Sequence, residues 1–300
     1  MIVGPTASGK SDLALAVARA AGDVEVLTAD SMQVYRGMDI GTAKPTPAER
    51  AEVPHHLIDV VDPSEDYDLA RFQREARAAI AAIRARGHTP LLVGGTALYL
   101  QAVIDDLDIP GQFPEVRAEI ESEPDTSRLH ERLAELDPVA AARMEPTNRR
   151  RVVRALEVTL GSGRPFSSFG PGLGDLKRPR DDLRLAGIWL PRDTVATRIE
   201  VRVRQMVERG LVEEATGLLV RDPPMSRTAR QALGYKEVIA HLEDGVPIAK
   251  TIDEIVRRTR HFARRQRMWF RRDERIIWHA TNENPLAVLP ALLGDWTRCR

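Results

Sequence analysis

The chain has 300 residues, with 44 basic and 44 acidic side chains and a formal net charge of zero, and 43% of its residues are hydrophobic. This length predicts one large domain or two modest ones. The single cysteine, Cys299, excludes a disulfide within the chain and a cysteine-based metal site, and it fits a reducing compartment. Neither a run of 18 apolar residues nor a signal-peptide pattern is present. We therefore expect a cytoplasmic protein with no membrane partner.

The first predicted elements surround the sequence GPTASGKS at residues 4–11, which fits the phosphate-binding pattern G-x-x-x-x-G-K-[ST]. Residues 1–3 alone precede this loop, so the strand that leads into it is short unless the natural chain extends upstream. After the loop, the apolar spacing predicts a helix over Asp12–Ala21 that ends at Gly22.

Strands and helices then alternate along the chain. Apolar residues at helical spacing from Leu69 to Ile83 predict a helix that ends at Gly87. The segment 30–50 is punctuated by Gly and Pro, and long loops of this kind are usually functional or disordered. Short apolar runs predict strands at Val24–Ala29, His56–Val61, Pro90–Gly95 and Leu183–Leu190.

Helical patterning without a clear strand covers residues 113–160, whereas Gly161–Pro179 is predicted to be a loop because it is rich in Gly, Pro and Ser. From Thr194 onward, helical patterns dominate. The alternation of strands and helices predicts an α/β fold, namely a P-loop NTPase-like parallel sheet flanked by helices, with a helical insertion domain at 113–182. The catalytic core with its C-terminal helices would comprise residues 1–112 and 183–300.

The GPTASGKS loop contains the residue types that bind phosphate groups. Gly4 and Gly9 allow close approach of the backbone, Lys10 supplies a cation for phosphate oxygens, and the Ser11 hydroxyl can ligate Mg²⁺. The following helix adds the positive end of its dipole. The alternative is a glycine-rich turn without a ligand, but the strand before the loop and the helix after it argue against this.

Two further positions follow predicted strands, where ligands of doubly wound sheets bind. Asp30 is a candidate general base or Mg²⁺ ligand, or else a turn or helix cap. The sequence Gly94-Gly95-Thr96 offers backbone access and a hydroxyl, or else forms a tight turn. An NTP hydrolase usually ends such a strand with an Asp that orients Mg²⁺, so the glycines argue against NTP hydrolysis.

Two clusters of arginines suggest an anionic partner. Nine arginines lie between residues 257 and 275, and Arg150, Arg151 and Arg154 share one face of a predicted helix. In a chain of zero net charge, such clusters favour a nucleic-acid backbone or a diphosphate as partner. The alternative is a solvated surface neutralised by acids, for example Arg154 by Glu157.

Another pair of arginines, Arg198 and Arg202, lies four residues apart beside a predicted core stripe. At this position they can reach an anion in a cleft. They can equally extend into solvent along the apolar surface, so the sequence leaves both interpretations open.

The motifs, taken in chain order, resemble one family, the bacterial tRNA dimethylallyltransferases, also called tRNA isopentenyltransferases. The loop GPTASGKS alone is weakly specific, but its combination with DSMQVYRGMDIGTAKPT is highly specific for this family. The matching stretches span nearly the whole chain and lie at residues 4–11, 30–46, 54–63, 93–100, 154–158, 232–237 and 259–272.

The resemblance implies transfer of the dimethylallyl group of dimethylallyl diphosphate to N6 of the adenine next to the anticodon on its 3′ side. The tRNAs concerned read codons that begin with U. The resemblance further implies a monomer that binds the tRNA anticodon stem-loop and uses Mg²⁺. It also implies that Asp30 is the general base and that Thr96 holds the oxygen between carbon and diphosphate.

Further site residues are implied by the same resemblance. The positions for diphosphate binding are Gly4, Thr6, Ala7, Ser8, Gly9, Lys10, Ser11 and Arg202, with Mg²⁺ at Ser11. The positions for tRNA contact are Asp30, Ser31, Met32, Gln33, Arg117, Arg150, Arg151, Val152, Val153, Arg154, Gln231, Ala232, Leu233, Gly234, Tyr235 and Lys236.

Three other functions remain as alternatives on the sequence alone. A small-molecule P-loop kinase would use Asp30 in phosphoryl transfer and would turn over ATP. An adenylate isopentenyltransferase would use free AMP as acceptor, which requires neither the insertion nor nine clustered arginines. An RNA-binding GTPase-like module would need a guanine-recognition motif such as N-K-x-D, which the sequence lacks.

Overall fold

A computed structural model describes residues 1–170 and 183–297 of the chain. Within them, six strands form one sheet in the order β3-β2-β4-β1-β5-β6, and all neighbouring strands are parallel. The strands are β1 (Ile2–Val3), β2 (Val24–Ala29), β3 (His55–His56), β4 (Thr89–Gly94), β5 (Leu185–Trp189) and β6 (Ile276–Ala280).

Helices cover the rest of the regular structure. Those that connect or follow the strands are α1 (Lys10–Ala21), α2 (Pro47–Glu52), α3 (Leu69–Ala85), α4 (Ala97–Ile104), α9 (Arg192–Glu208), α10 (Leu211–Leu219), α11 (Arg227–Arg230), α12 (Tyr235–Asp244), α13 (Ile248–Phe270) and α14 (Leu289–Thr297). The others, between Ile104 and β5, are α5 (Pro114–Glu121), α6 (Thr126–Leu136), α7 (Pro138–Ala142) and α8 (Arg149–Ser162). Short 3₁₀ turns lie at Phe166–Phe169 and Pro285–Val288.

The shortest central strand determines where the phosphate loop lies. β1 contains only Ile2 and Val3, yet it pairs with β4 on one side and with β5 on the other, and both residues are buried. Val3 lies opposite Gly94 of β4 and Gly187 of β5. Because the loop follows Val3 directly, it emerges at the carboxyl edge in the middle of the sheet, where ligands of such sheets bind.

Several predicted elements are confirmed. β2 has the predicted bounds and is buried along its whole length, as expected for a parallel strand covered on both faces. α1 ends at Gly22, which has a φ of 78° and donates its N–H to the Ala18 carbonyl. α3 begins after Asp68, whose side chain accepts the Arg71 N–H, and such a cap contributes about 1 kcal/mol.

One predicted strand is shorter than expected, and one observed strand is not predicted from the sequence. The sequence predicts a third strand over His56–Val61, but this strand stops at His56 because Leu57 and Asp59 have φ angles of 64° and 56°, which a β-strand does not allow. Val61 forms only an isolated bridge with Tyr35. The sixth strand, Ile276–Ala280, lies in the region for which the sequence predicts helices.

The chain divides into two compact units: Met1–Ile104 and Pro179–Arg300 form the first, and Asp105–Arg178 forms the second. The sequence predicts that the insertion begins at residue 113, eight residues later than the second unit does. Its described part contains α5 to α8, and the 3₁₀ turn at Phe166–Phe169 lies in the segment predicted as a loop; residues 171–182 lie outside the described part. This unit has its own apolar core, formed by Ile120, Leu129, Leu133, Ala140, Ala141, Val152, Val153, Ala155 and Leu156.

Candidate active site

The GPTASGKS loop curls tightly between β1 and α1. Ala7 and Gly9 both have positive φ angles, 61° and 78°, and α1 begins directly afterwards at Lys10. A left-handed conformation costs a residue with a Cβ roughly 1–2 kcal/mol, and such strain is typical of functional loops. Because the first N–H groups of a helix have no partner within the helix, the start of α1 offers donors to an anion.

The Ser8 hydroxyl lies inside this loop. Its Oγ is fully buried and has no hydrogen-bond partner among the described residues. A Cβ on Gly4 would come within 2.7 Å of this oxygen, so the loop can close over Ser8 only with glycine at position 4. A buried hydroxyl without a partner is costly, which indicates that a ligand or a water molecule completes the site.

Three basic side chains surround the loop. Arg198 donates from Nε to the Ala7 carbonyl at 2.9 Å, and Lys10 donates to the Pro5 carbonyl at 3.4 Å. Burial lowers the pKa of the Lys10 ammonium to about 8, and the nearby charge of Arg202 contributes to this lowering. Burial also lowers the pKa of the Arg202 guanidinium, which has no hydrogen bond or ion pair in the described part of the chain. Cations concentrated in this way favour the binding of an anion.

Asp30 follows β2, whose last residue, Ala29, lies opposite Gly94. Its Oδ1 accepts the Met32 N–H at 2.9 Å, as expected for a turn cap, while Oδ2 has no hydrogen bond within residues 1–170 and 183–297. The charge of Asp30 acts on both Lys10 and Arg202. The carboxylate therefore caps its turn with one oxygen and has the second available for a substrate.

Thr96 lies at the end of β4 on the same edge of the sheet. Its carbonyl accepts the N–H groups of Tyr99 and Leu100 at the start of α4. No described residue is hydrogen-bonded to its hydroxyl. At Gly94 a Cβ would lie 2.2 Å from the Ala29 carbonyl oxygen, so the ends of β2 and β4 approach more closely than any other residue type would allow.

Gln266 of α13 also belongs to this site; it lies inside the family-like stretch 259–272, but it is not among the predicted site residues. Its Oε1 accepts the Thr6 N–H at 2.8 Å, and its Nε2 donates to the Gly95 carbonyl at 2.8 Å. In this conformation Gln266 occupies the Thr6 amide, and the assignment of Thr6 to diphosphate binding stays a prediction. The only signal in the sequence is an uncharged polar residue on the core face of an arginine-rich helix.

The loop at residues 30–46 is held by buried polar contacts. The Lys44 ammonium is buried and donates to the Tyr35 carbonyl at 2.5 Å, Asp39 Oδ1 at 2.7 Å and Asp59 Oδ1 at 2.5 Å. Gln33 donates to the Thr42 carbonyl at 3.0 Å. The loop is thus ordered, and Gln33, predicted to contact tRNA, also stabilises it.

The C-terminal part of the same loop is bound to α10 and α12. Glu214 accepts the N–H groups of Asp39, Ile40 and Gly41, and it also accepts the hydroxyl of Tyr235. A Cβ on Gly41 would lie 2.4 Å from the Tyr235 ring, which explains the glycine. Tyr235, predicted to contact tRNA, is fully buried, and its hydroxyl accepts the Gly41 N–H of the loop.

The remaining residues predicted to contact tRNA differ in exposure. Val152, Val153 and Ala232 are buried in the core, so their side chains are not available to RNA in this conformation. In the same stretches, Gln231, Lys236 and Arg151 are exposed, as is Arg150, and Ser31, Met32 and Leu233 are half-buried.

Glu157 is the centre of a buried ion cluster in the insertion unit. It pairs with Arg154 at 2.8 Å and with Arg117 at 3.2 Å, and it accepts the Phe113 N–H at 2.9 Å. The interpretation of Arg154 as a neutralised arginine is therefore supported. In the described residues, Arg150 and Arg151 have no acidic partner.

The arginines of α13 and the turn after it are of three kinds. Arg257, Arg258, Arg260 and Arg275 form ion pairs with acids, as the alternative interpretation predicts. Arg267 is buried, stacks on the Trp189 ring at 3.6 Å and donates to the Leu190 carbonyl. The others have no carboxylate partner in the described part of the chain, and they are Arg264, Arg265, Arg271 and Arg272.

Residues 1–170 and 183–297 offer neither a protein-built metal centre nor a membrane-spanning helix. No three His, Cys, Asp or Glu side chains are grouped there as a metal-ligand set. In the same ranges, none of the helices combines the length and apolar character that a bilayer crossing requires.

A central strand, a GxxxxGKS loop and a helix at the carboxyl edge of a parallel sheet define a P-loop type α/β protein with a candidate phosphate-binding site. The family model described as IPP transferase matches residues 33–273, and the model described as isopentenyl transferase matches residues 1–59. The chain belongs to the IPP transferase family, whose curated members are named tRNA dimethylallyltransferase.

Similar proteins cover nearly all of the chain. The tRNA dimethylallyltransferase of Kineococcus radiotolerans is 50% identical over 92% of this chain and 89% of its own length. The crystal structure of the tRNA isopentenylpyrophosphate transferase from Bacillus halodurans is 38% identical, with a TM-score of 0.72 over 99% of this chain and 96% of that one. A eukaryotic dimethylallyltransferase acting on tRNA has a TM-score of 0.81 at 28% identity, over 100% of this chain and 79% of that one.

Proposed function

We propose that the chain transfers the dimethylallyl group of dimethylallyl diphosphate to N6 of the adenine 3′-adjacent to the anticodon, in tRNAs that read codons beginning with U. Relatives at 45–50% identity are named for transfer of this group to tRNA. The observation that carries the mechanism is the free Oδ2 of Asp30 close to the cations of the phosphate loop. We place the reaction in the cytoplasm and assign it to a monomer.

The reaction needs a base and a site for the leaving group. The lone pair of the adenine amine is delocalised into the ring, which makes N6 a weak nucleophile. As N6 forms a bond to C1 of the dimethylallyl group, the C1–O bond breaks and its electron pair leaves with the diphosphate. Asp30 takes the N6 proton, a role that contributes about 10²–10⁴-fold in rate.

The leaving diphosphate develops negative charge, which donors fixed in advance stabilise. The free N–H groups at the start of α1, the Ser8 hydroxyl, Lys10 and Arg202 are the donors that we assign to it. The Thr96 hydroxyl is assigned to the oxygen between C1 and the diphosphate. Loss of one such donor typically costs about 10²–10³ in rate.

Mg²⁺ fits this site as a partner of the diphosphate. The Ser11 hydroxyl is exposed at the start of α1 and has no hydrogen bond in the described part of the chain. Mg²⁺ usually takes few protein oxygens, together with phosphate oxygens and waters, so a single hydroxyl suffices. When bound, the ion would neutralise charge on the diphosphate.

The RNA would be held by its phosphates and by the loop that carries Asp30. Exposed arginines that have no acidic partner among residues 1–170 and 183–297 are present in both units, namely Arg150 and Arg151 in the insertion and Arg264 and Arg272 in the core. An adenine stacked in the anticodon loop cannot reach a recessed carboxylate, so we propose that it is flipped out at a cost of a few kcal/mol.

The test is an acceptor assay with labelled dimethylallyl diphosphate. We expect label in an anticodon stem-loop RNA, none in AMP, and no turnover of ATP. The matched control is the same RNA with a purine that lacks the 6-amino group at the target position, which should remain unlabelled. Label in AMP alone would favour the adenylate isopentenyltransferase, and ATP-dependent phosphorylation would favour the kinase.

A further inference from the structure

Gln266 connects two turns that belong to different strands. The Thr6 N–H lies in the loop after β1, and the Gly95 carbonyl lies in the turn after β4. β1 and β4 are adjacent, with Val3 opposite Gly94. One side-chain amide thus bridges the phosphate loop and the turn that carries Thr96, using one hydrogen bond of 2.8 Å on each side.

Burial makes this bridge costly to break. Gln266 is 7% exposed, and a buried donor or acceptor that loses its partner costs about 1–3 kcal/mol. The amide also fills the space beside Gly95, where a Cβ would lie 2.3 Å from Nε2. A side chain at position 95 would therefore displace the Gln266 amide from its bridging position.

The neighbouring residues fix Gln266 on its helix. Phe270, one turn later, is buried in the core, and Arg267 is anchored on Trp189 at 3.6 Å and on the Leu190 carbonyl. α13 therefore presents the amide to both turns from a fixed position. The amide is uncharged, so it can satisfy an N–H and a carbonyl at once without adding charge beside Lys10.

From this geometry we infer that Gln266 is a positioning residue that sets the position of the phosphate loop relative to the Gly95-Thr96 turn. In the proposed function the two turns hold the leaving group at two places, because the loop is assigned to the diphosphate and Thr96 to the oxygen of the C1–O bond that breaks. This inference rests on the proposed function. Since a displacement of 1 Å can cost about 10²-fold in rate, a loosened bridge would reduce the chemical step most.

The experiment compares two buried glutamines. Gln266→Met keeps the size of the side chain and removes both hydrogen bonds. Gln73→Met is the control, because Gln73 is buried in α3 and donates to the Ala102 carbonyl of α4 at 2.6 Å. We expect Gln266→Met to lower kcat by about 10²-fold and to weaken inhibition by inorganic pyrophosphate by less than about 10-fold. Gln73→Met should leave both values near wild type.

A double-mutant cycle with Thr96→Ala tests whether Gln266 acts through the turn. If it does, the double variant should be little slower than the worse single variant, because the losses overlap. Additive losses, or equal losses in kcat and pyrophosphate binding, would overturn the inference. If Gln266→Met folds poorly, Gln266→Asn keeps an uncharged amide but shortens the side chain by one methylene, so it loosens the bridge without adding charge and should show a smaller loss of the same kind.

Failure of the proposed function would look different. In that case wild type would transfer no label to RNA, or Lys10→Ala would leave pyrophosphate binding unchanged. If wild type is active and Lys10→Ala weakens pyrophosphate binding, an unaltered kcat in Gln266→Met contradicts only the role of Gln266.

Discussion

Tyr235 donates its hydroxyl to Glu214 Oε1 at 2.5 Å, and the same hydroxyl accepts the Gly41 N–H at 3.1 Å. A carboxylate and a phenol from two helices thus hold the backbone of the loop that begins at Asp30. Because Glu214 also accepts the N–H groups of Asp39 and Ile40, this pair satisfies three consecutive backbone N–H groups of the loop.

Tyr235→Phe removes this hydroxyl and leaves the ring in place. We expect the free energy of unfolding to fall by about 2 kcal/mol, since the variant lacks an interior hydrogen bond to a charged group. Transfer to RNA should also fall, because the loop that carries Asp30 loses support. Tyr67→Phe is the control, as it removes a hydroxyl bonded to Glu75 at 2.8 Å. Urea unfolding and the transfer assay distinguish the two, and equal activity in both variants would contradict the expectation.

Asp30→Asn tests the general base with little change of shape. The amide oxygen can still accept the Met32 N–H, so the turn should remain folded, whereas the ability to take a proton is lost. We expect transfer to fall by about 10²–10⁴-fold with RNA affinity nearly unchanged. Asp12→Asn removes a charge that acts on the same Lys10 and Arg202. If Asp12→Asn transfers as slowly as Asp30→Asn, then the loss of a negative charge, and not the loss of proton transfer, explains the lower rate.

The free arginines of the insertion should contribute to the salt dependence of RNA binding. The double variant Arg150→Gln with Arg151→Gln should reduce the slope of log affinity against log salt by about 1 for each phosphate that the variant no longer neutralises. Arg257→Gln with Arg258→Gln is the matched control, because both of these arginines pair with Glu254. A larger change in the control would show that ion-paired arginines bind the RNA instead.

The buried Glu25 carboxylate should make the free energy of unfolding decrease in acid. Burial alone would raise the pKa of this carboxyl, but hydrogen bonds from Arg86, His56 and His88 outweigh burial and lower the pKa to about 2. A lowered pKa contributes stability above the unfolded value of about 4.3, and this stability decreases as the pH falls toward about 2. The contribution is about 2–3 kcal/mol. Glu25→Gln should flatten this part of the stability profile more than Glu254→Gln, because the pKa of Glu254 is also lowered to about 2 but its pairs with Arg257 and Arg258 are screened by solvent.

Those elements were predictable whose apolar spacing and flanking glycines match the secondary structure that the fold gives them. The apolar run of β2 and the glycine after α1 correspond to observed bounds, as does the phosphate loop between a strand and a helix. β6 is not predictable in this way because Ile276–Ala280 follows a highly charged segment and is only partly buried at the edge of the sheet. The end of β3 depends on positive φ at Leu57 and Asp59, residues that rarely adopt it.

The polar contacts that organise the site could not be predicted from local pattern. Gln266 lies 260 residues from Thr6 in the chain, and Glu214 lies 173 residues from Gly41. Such contacts depend on the packing of distant helices against the sheet, so only Asp30, Thr96 and the loop itself, which follow strands directly, could be identified by position. The ion pair of Arg154 with Glu157 is predictable because its partners are three residues apart on one helix.

The lowered pKa of Lys10 has a consequence for the substrate. With a pKa of about 8, this ammonium is partly deprotonated just above neutral pH, and a bound diphosphate would restore its charge by drawing a proton from solution. Proton uptake and diphosphate binding are then linked, so affinity for inorganic pyrophosphate should fall by up to about tenfold per pH unit above about pH 8. Lys10→Arg, which keeps its charge throughout this range, should abolish that decline. The phosphate loop would thus bind diphosphate together with a proton, and its affinity for diphosphate would decrease in alkaline solution.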